Sequence, residues 1–139
     1  IINVGTLFST SLAAVRLAEK YKDGVWATVG FHPSHTAPSA HHDVWEAREP
    51  NSSNFDIADF GEIARHPKVV AIGECGLDYY RLEGDAAAVK EKQKQVFESQ
   101  LKLAAAVGKP LTLHCRPSKS TADAYDDLHE MLAASAGKP

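Results

Sequence analysis

Apolar residues recur along the chain in two alternating periods. Four short runs, IINVGT (1–6), VWATVGFH (25–32), VVAIGECG (69–76) and LTLHCR (111–116), are rich in branched apolar residues and bounded by turn formers, and they predict β-strands. Between them the period lengthens to that of a helix. Leu12, Val15, Ala18 and Tyr21 follow three capping candidates, Ser9, Thr10 and Ser11, and stop at Asp23-Gly24. Ile57, Phe60 and Ile63 follow a cap at Asn54 or Asp56 and end before Pro67, because a residue preceding proline resists helical geometry. Asp85 introduces a long helix with Val89, Val96, Phe97, Leu101 and Ala104 on one face, closed at Gly108 and Pro110. A last helix over about 121–134 carries Ala124, Leu128 and Leu132 in register. The stretch from Ser34 to Ser53, rich in Pro, Ser and His, matches neither period and is expected to be a long loop, functional or inserted.

Four strands separated by helices predict a parallel α/β sheet, either doubly wound or part of a (β/α)8 TIM barrel. Alternation along each strand places Trp26, Thr28, Gly30 and His32 on one face, as it does Val70, Ile72 and Glu74, and Thr112, His114 and Arg116. Val25, Val29 and Phe31, and Leu111 and Leu113, are left for packing under helices. Three strands thereby deliver His32, Glu74 and His114 at their C-terminal ends, where barrel enzymes gather their chemistry. No glycine-rich phosphate loop or dinucleotide fingerprint follows any strand, which favours the barrel over an open nucleotide-binding sheet.

Charge and cysteine content narrow the classes of function. A net charge of -3 and a pI near 6.2 exclude a broadly basic surface, so any contact with nucleic acid is expected to be local. No apolar run approaches a membrane span, and a soluble, cytoplasmic protein is expected, with the nucleus the other possibility. Cys75 and Cys115 lack zinc or disulfide-scaffold spacing and are expected to be small buried thiols. The chain opens at Ile1 inside an apolar run, and its last three residues, Gly137-Lys138-Pro139, repeat the Gly108-Lys109-Pro110 that precedes a strand. The expectation is of an incomplete domain.

The densest chemistry lies in VVAIGECGLDYYR (69–81), where a buried strand runs into Glu74 between two glycines. A carboxylate there is costly unless a cation meets it, which suggests a divalent metal. Glu74 could instead cap the following turn or pair with Arg81. His114 could be a hydrogen-bonded core histidine, but together with Glu74 it offers oxygen and nitrogen ligands suited to Zn, Mn, Fe or Mg. His32 either packs on Pro33 or faces substrate. Arg81 and Arg116 are candidate phosphate contacts or surface ion pairs, and Asp78 is a candidate for orienting the turn or a neighbouring ligand. His35, His41 and His42, in the long loop, read as solvated.

Four ordered motifs then become specific together: Gly30-Phe31-His32-Pro33; Ala71 to Arg81; Gln93, Phe97, Gln100 and Leu101 before Gly108-Lys109-Pro110; and Leu113-His114-Cys115-Arg116. They resemble the TatD family of metal-dependent hydrolases over nearly the whole chain. The resemblance implies a (β/α)8 barrel of which residues 1–139 supply about strands 2 to 5 with their helices, the first strand and the C-terminal strands being absent. It also implies divalent metals, two in number and Mg, Mn or Zn in kind, and hydrolysis of phosphodiester bonds in DNA. Glu74 would then be catalytic and a metal ligand, with His114 a second ligand and His32, Arg81 and Arg116 gripping phosphate. The same scaffold could serve an ester or amide hydrolase, such as a D-aminoacyl-tRNA deacylase. A noncatalytic binding module is the alternative from another class.

Overall fold

The computed structural model describes residues 1–37 and 55–135. Its elements run β1 (Ile2–Asn3), α1 (Phe8–Glu19), β2 (Trp26–Val29), a 3-10 turn (Pro33–Thr36), α2 (Ile57–Ala64), β3 (Val69–Asp78), α3 (Ala86–Val107), β4 (Leu111–Arg116) and α4 (Asp123–Ser135). The strands form one parallel sheet in the order β1-β2-β3-β4, so each strand is followed by a helix and then pairs with the strand before it. That succession is the repeating unit of a barrel wall, and the architecture is a partial (β/α) barrel.

Helix boundaries follow local chemistry. Asp56 accepts from the amides of Ala58 and Asp59 to start α2, and Asp85 does the same for Ala87 and Ala88 at the start of α3. Gly108 ends α3 in the left-handed region, at φ 65°, where a side chain would be strained. Lys109 donates its ammonium to the carbonyls of Ala64 and His66, satisfying the C-terminus of α2. The start of α1 differs from the sequence expectation. Ser9, Thr10 and Ser11 lie inside the first turn, and Leu7 is the residue before the helix. Thr10 reaches back instead, its Oγ1 accepting from the Thr6 and Leu7 amides at 2.9 and 2.8 Å. Ser11 is fully buried, where its hydroxyl bridges the amide and carbonyl of Gly30.

One face of the sheet carries the core. Ala27 and Val29 from β2, Phe31 just beyond it, and Val69 and Ile72 from β3 pack with Ala14, Val15, Phe60, Ala64, Val96 and Leu103 of the helices. A second cluster joins Cys75, Leu77 and Tyr79 to Phe97, Leu101 and Ala124. Along β3 and into Tyr79 the helix-facing residues are therefore 69, 72, 75, 77 and 79, a strand period interrupted by two steps of three. Both steps coincide with register shifts. Val69 and Ala71 oppose successive β2 residues, and Ile72 and Cys75 oppose Leu111 and Leu113, so β3 holds an extra residue at each place. This corrects the expected sharing of one face by Val70, Ile72 and Glu74. Ile72 faces the helices, and the second irregularity turns Glu74 to the opposite face with Gly76 and Asp78.

The expected loop at 34–53 begins as structure: Pro33–Thr36 is a 3-10 turn with Pro33, His35 and Thr36 buried. His35 is thus not a solvated residue, its ring packing edge-on to Phe31. His41, His42 and the remainder of that stretch from 38 to 54 lie outside the described residues. Cys75 is buried and Cys115 half-buried, both as free thiols. Leu113, on edge strand β4, is 40% exposed rather than covered by a helix.

Just past the end of β2, Gly30 lies so near β3 that a Cβ would collide with the backbone of Gly73. Rigid backbone cannot yield as a side chain would. Gly30→Ala is therefore expected to lower stability by about 1–3 kcal/mol, as overpacking does. Urea unfolding measures it, and an unchanged midpoint would show that the strands can part at no cost.

Candidate metal centre

The second irregularity in β3 is what brings the chemistry together. Past it, Glu74, Gly76 and Asp78 alternate on the face away from the helices. β4 pairs Gly76 with His114 and Asp78 with Arg116, so side chains from the two strand ends meet. The amide of Glu74 donates to Gly5 O at 2.9 Å and that of His32 to Thr6 O at 2.8 Å, tying the segment after β1 to β3 and to the chain just past β2.

His114 stands between two carboxylates. Its Nδ1 is 3.1 Å from Glu74 Oε1 and its Nε2 is 3.0 Å from Asp78 Oδ2. Asp78, only 6% exposed, also receives Arg116 in a fork, Nε at 3.0 Å and one terminal nitrogen at 2.7 Å, and the Tyr80 amide at 3.1 Å. Burial alone would raise the Asp78 pKa, but hydrogen bonds from His114, Arg116 and Tyr80 hold it well below the usual carboxylate range. For His114, burial works against protonation, yet the Asp78 and Glu74 contacts outweigh it and push the pKa up.

His32 is the third member. Its ring lies 4.3 Å from that of His114, centroid to centroid, and its Nε2 is 3.8 Å from Glu74 Oε1. On the other side, Nδ1 accepts from the Ser34 amide at 3.2 Å and sits 2.7 Å from the Ser34 hydroxyl. Burial first, then the positive charge of His114 and His35, lowers the His32 pKa to about 3. The ring is neutral at pH 7, and the Ser34 contact places its proton on Nε2, pointing inward.

One donor atom from each of His32, Glu74 and His114 lies within 4.8 Å of the other two, a grouping able to hold a metal ion. The donor chemistry fits a divalent cation: oxygen and nitrogen together, with Asp78 gripping the far nitrogen of His114 and leaving Nδ1 to face the centre. Beside it opens a cleft of about 240 Å³ lined by His32, Asp78, Arg81, Gln93, His114 and Arg116.

The structure distributes the remaining sequence candidates unevenly. Arg116 is committed in part to Asp78, and its guanidinium also lies 5.1 Å from the Tyr80 ring. Arg81 is exposed on the cleft wall, 5.7 Å from the same ring, and away from Glu74, which faces His114 and His32. Ser34 went unnoticed as the residue that orients His32, since a serine after proline carries no distinguishing signal. Gln93 and Gln100 stand in the third sequence motif as two amides seven residues apart on the apolar face of a helix, and only their backbone partners were not legible there.

A parallel sheet with helices in succession and a His, Glu, His grouping at its C-terminal strand ends defines a protein of the (β/α)-barrel class with a candidate metal centre. The model of the family described as TatD related DNase matches residues 1–138, and the chain belongs to that family. It is 44% identical over 115 residues to the 3'-5' ssDNA/RNA exonuclease TatD of Edwardsiella piscicida, an alignment covering 83% of this chain and 38% of that protein. Against the protein of the same description from Pantoea ananatis it is 37% identical over 130 residues, 94% of this chain and 40% of the relative. The crystal structure of YjjV, a TatD homologue from Escherichia coli K12, superposes with a TM-score of 0.66 at 29% identity, covering 97% of this chain and 44% of the other. The chain thus spans about two fifths of the length of the relatives it matches.

The neutral His32 has a consequence for stability. As pH falls below its ordinary value of 6.5, the unfolded chain takes up a proton that the folded one refuses until about pH 3. Stability contributed by this group is present above pH 6.5 and declines across that window. His114, whose folded pKa is raised, acts the other way and at higher pH: its contribution is present below its unfolded value and lost as pH rises through the folded one. Urea unfolding in chelator, followed from pH 6.5 towards 4, is expected to show a shallower decline for His32→Gln. An equal slope in the variant would assign the acid sensitivity to other groups.

Proposed function

We propose that this protein is a divalent-metal-dependent hydrolase that cleaves phosphodiester bonds in DNA. The observation carrying the reading is the contact of Glu74 with His114 Nδ1 at the strand ends of a TatD-family barrel, where a cation can be shared. The relatives' description as exonucleases on single-stranded DNA and RNA supports a nucleic-acid substrate. Glu74 and His114 are assigned as metal ligands, with the metals, two in number, drawn from Mg, Mn and Zn. When bound, such ions activate water and stabilise negative charge on phosphate oxygens.

The chain's own groups do the rest. Asp78 holds the proton of His114 on Nε2, so that Nδ1 presents its lone pair to the centre. His32 is assigned to substrate rather than metal: its Nε2 carries a proton, and freeing that nitrogen would break the bond from the Ser34 amide. As a neutral donor it offers a hydrogen bond to a phosphate oxygen. Arg116, anchored by Asp78, keeps guanidinium donors for the same purpose, and Arg81 extends the cationic wall of the cleft. A protein of net charge -3 thereby holds phosphate locally. None of the helices among the described residues is long and apolar enough to cross a membrane. The free cysteines support a reducing, cytoplasmic setting.

In the protein expressed from its complete gene, Glu74→Ala and His114→Ala are each expected to lower kcat on single-stranded oligonucleotides by on the order of a hundred-fold or more, above the usual loss for groups that only support a ligand. Far-ultraviolet circular dichroism should show the fold retained. Unchanged turnover in either variant would remove its assignment. Preference for charged tRNA over oligonucleotide would move the substrate to an ester, and metal binding without hydrolysis of either would favour a binding module.

A further inference from the structure

We propose that Gln93 and Gln100 of α3 are positioning residues: they set the geometry of the metal centre by holding the backbone at the ends of β3 and β2. The inference rests on the reading of Glu74 and His114 as ligands and His32 as a substrate contact. Gln100, fully buried, accepts from the Phe31 amide at 2.8 Å and donates to the Phe31 carbonyl at 3.0 Å. Gln93, 3% exposed, accepts from the Asp78 amide at 2.8 Å and donates to the Asp78 carbonyl at 2.9 Å. Each amide thus grips both backbone groups of a single residue, as a neighbouring strand would.

Continued pairing between β2 and β3 is what these positions lack. The β2–β3 ladder ends at the pairing of Val29 with Ile72, whereas β3 continues to Asp78 and the chain after β2 continues through Phe31 and His32. Beyond the ladder, β4 still flanks Asp78 on one side, but among the described residues no strand pairs with Asp78 on its other side or with Phe31 on the side facing β3. The two glutamines fill that place, and their spacing of seven residues, about two helical turns, puts both on one face of one helix. A single rigid element therefore registers both strand ends. Gln100 acts on the residue covalently joined to His32. Gln93 acts on the residue whose carboxylate holds His114 Nε2 and Arg116. A simple packing role would be filled equally well by leucine, which has neither donor nor acceptor.

The test uses the protein expressed from its complete gene, titrated calorimetrically with Mn2+ alone and assayed on a single-stranded oligonucleotide. Gln93→Leu is expected to weaken Mn2+ binding about ten-fold or more, the usual loss when support of a ligating histidine is removed. Gln100→Leu is expected to leave Mn2+ affinity nearly unchanged and to raise KM, because it loosens His32 and not the ligands. Val96→Ala, a core truncation on the same helix, should lower Tm while leaving both quantities in place. If either leucine variant fails to fold, Gln93→Glu and Gln100→Glu replace them: they keep an oxygen for the amide but oppose the carbonyl with another, and the same directions are expected. Unaltered Mn2+ affinity in the Gln93 variants and unaltered KM in the Gln100 variants would overturn the proposal, as would equal effects from Val96→Ala. Wild-type protein that binds no Mn2+ would overturn both this inference and the ligand assignment beneath it.

Discussion

A histidine ring held on both nitrogens by carboxylates ties the end of β4 to the end of β3. The contacts of His114 with Glu74 and Asp78 are each close to 3 Å, and both acids lie on the same strand. An imidazole with one nitrogen engaged by a buried carboxylate has a defined ring orientation and a defined tautomer. Asp78 supplies that constraint, and the forked bond from Arg116 in turn prevents the acid from turning away. What remains is the Glu74 side, where His32, Glu74 and His114 converge and a cation can take the place of a proton.

The arrangement depends on an irregular strand. In a regular β3, residues 72, 74, 76 and 78 would share a face, and Ile72 would point into the same space as the acids. The extra residue between Ile72 and Cys75 separates the apolar half of the strand, which belongs under the helices, from the polar half, which belongs to the centre. Bulges re-aim side chains in this way at the rims of barrels. The close approach of Gly30 to Gly73 belongs to the same region, so the glycines and the register shift form one local solution to bringing strand ends together.

Charge is economised around the site. His32 is half-buried beside a histidine prone to protonation and is kept neutral, while Asp78 is buried beside an arginine and is kept ionised. No buried side-chain nitrogen or oxygen among the described residues lacks a hydrogen-bond partner. In so small a sheet that satisfaction is what allows several polar groups to sit at its end, since each unpaired one would cost about 1–3 kcal/mol.

Much of this was legible before any coordinates. The periods of apolar residues marked the strands and helices, Asp85 and Gly108 bounded α3, and alternation put Thr28 and His32 opposite Val29 and Phe31, because these signals depend only on residues near in sequence. The residue types at strand ends also pointed to metal chemistry. Alternation failed at β3 since a bulge depends on the partner strand's register, and composition failed at His35 since its burial depends on what packs over the turn after Pro33. The cap of α1 was displaced because Thr10 reaches backwards from inside the helix. The sequence by itself determined the order of elements, the faces of the helices and the chemical groups available. Only tertiary structure decided which nitrogen of each histidine faces the centre, that Asp78 and Arg116 lock together, and that two glutamines bond the backbone where the β2–β3 ladder has ended. Those outcomes are distances between groups far apart along the chain, and only packing against a common core brings such groups within hydrogen-bonding range.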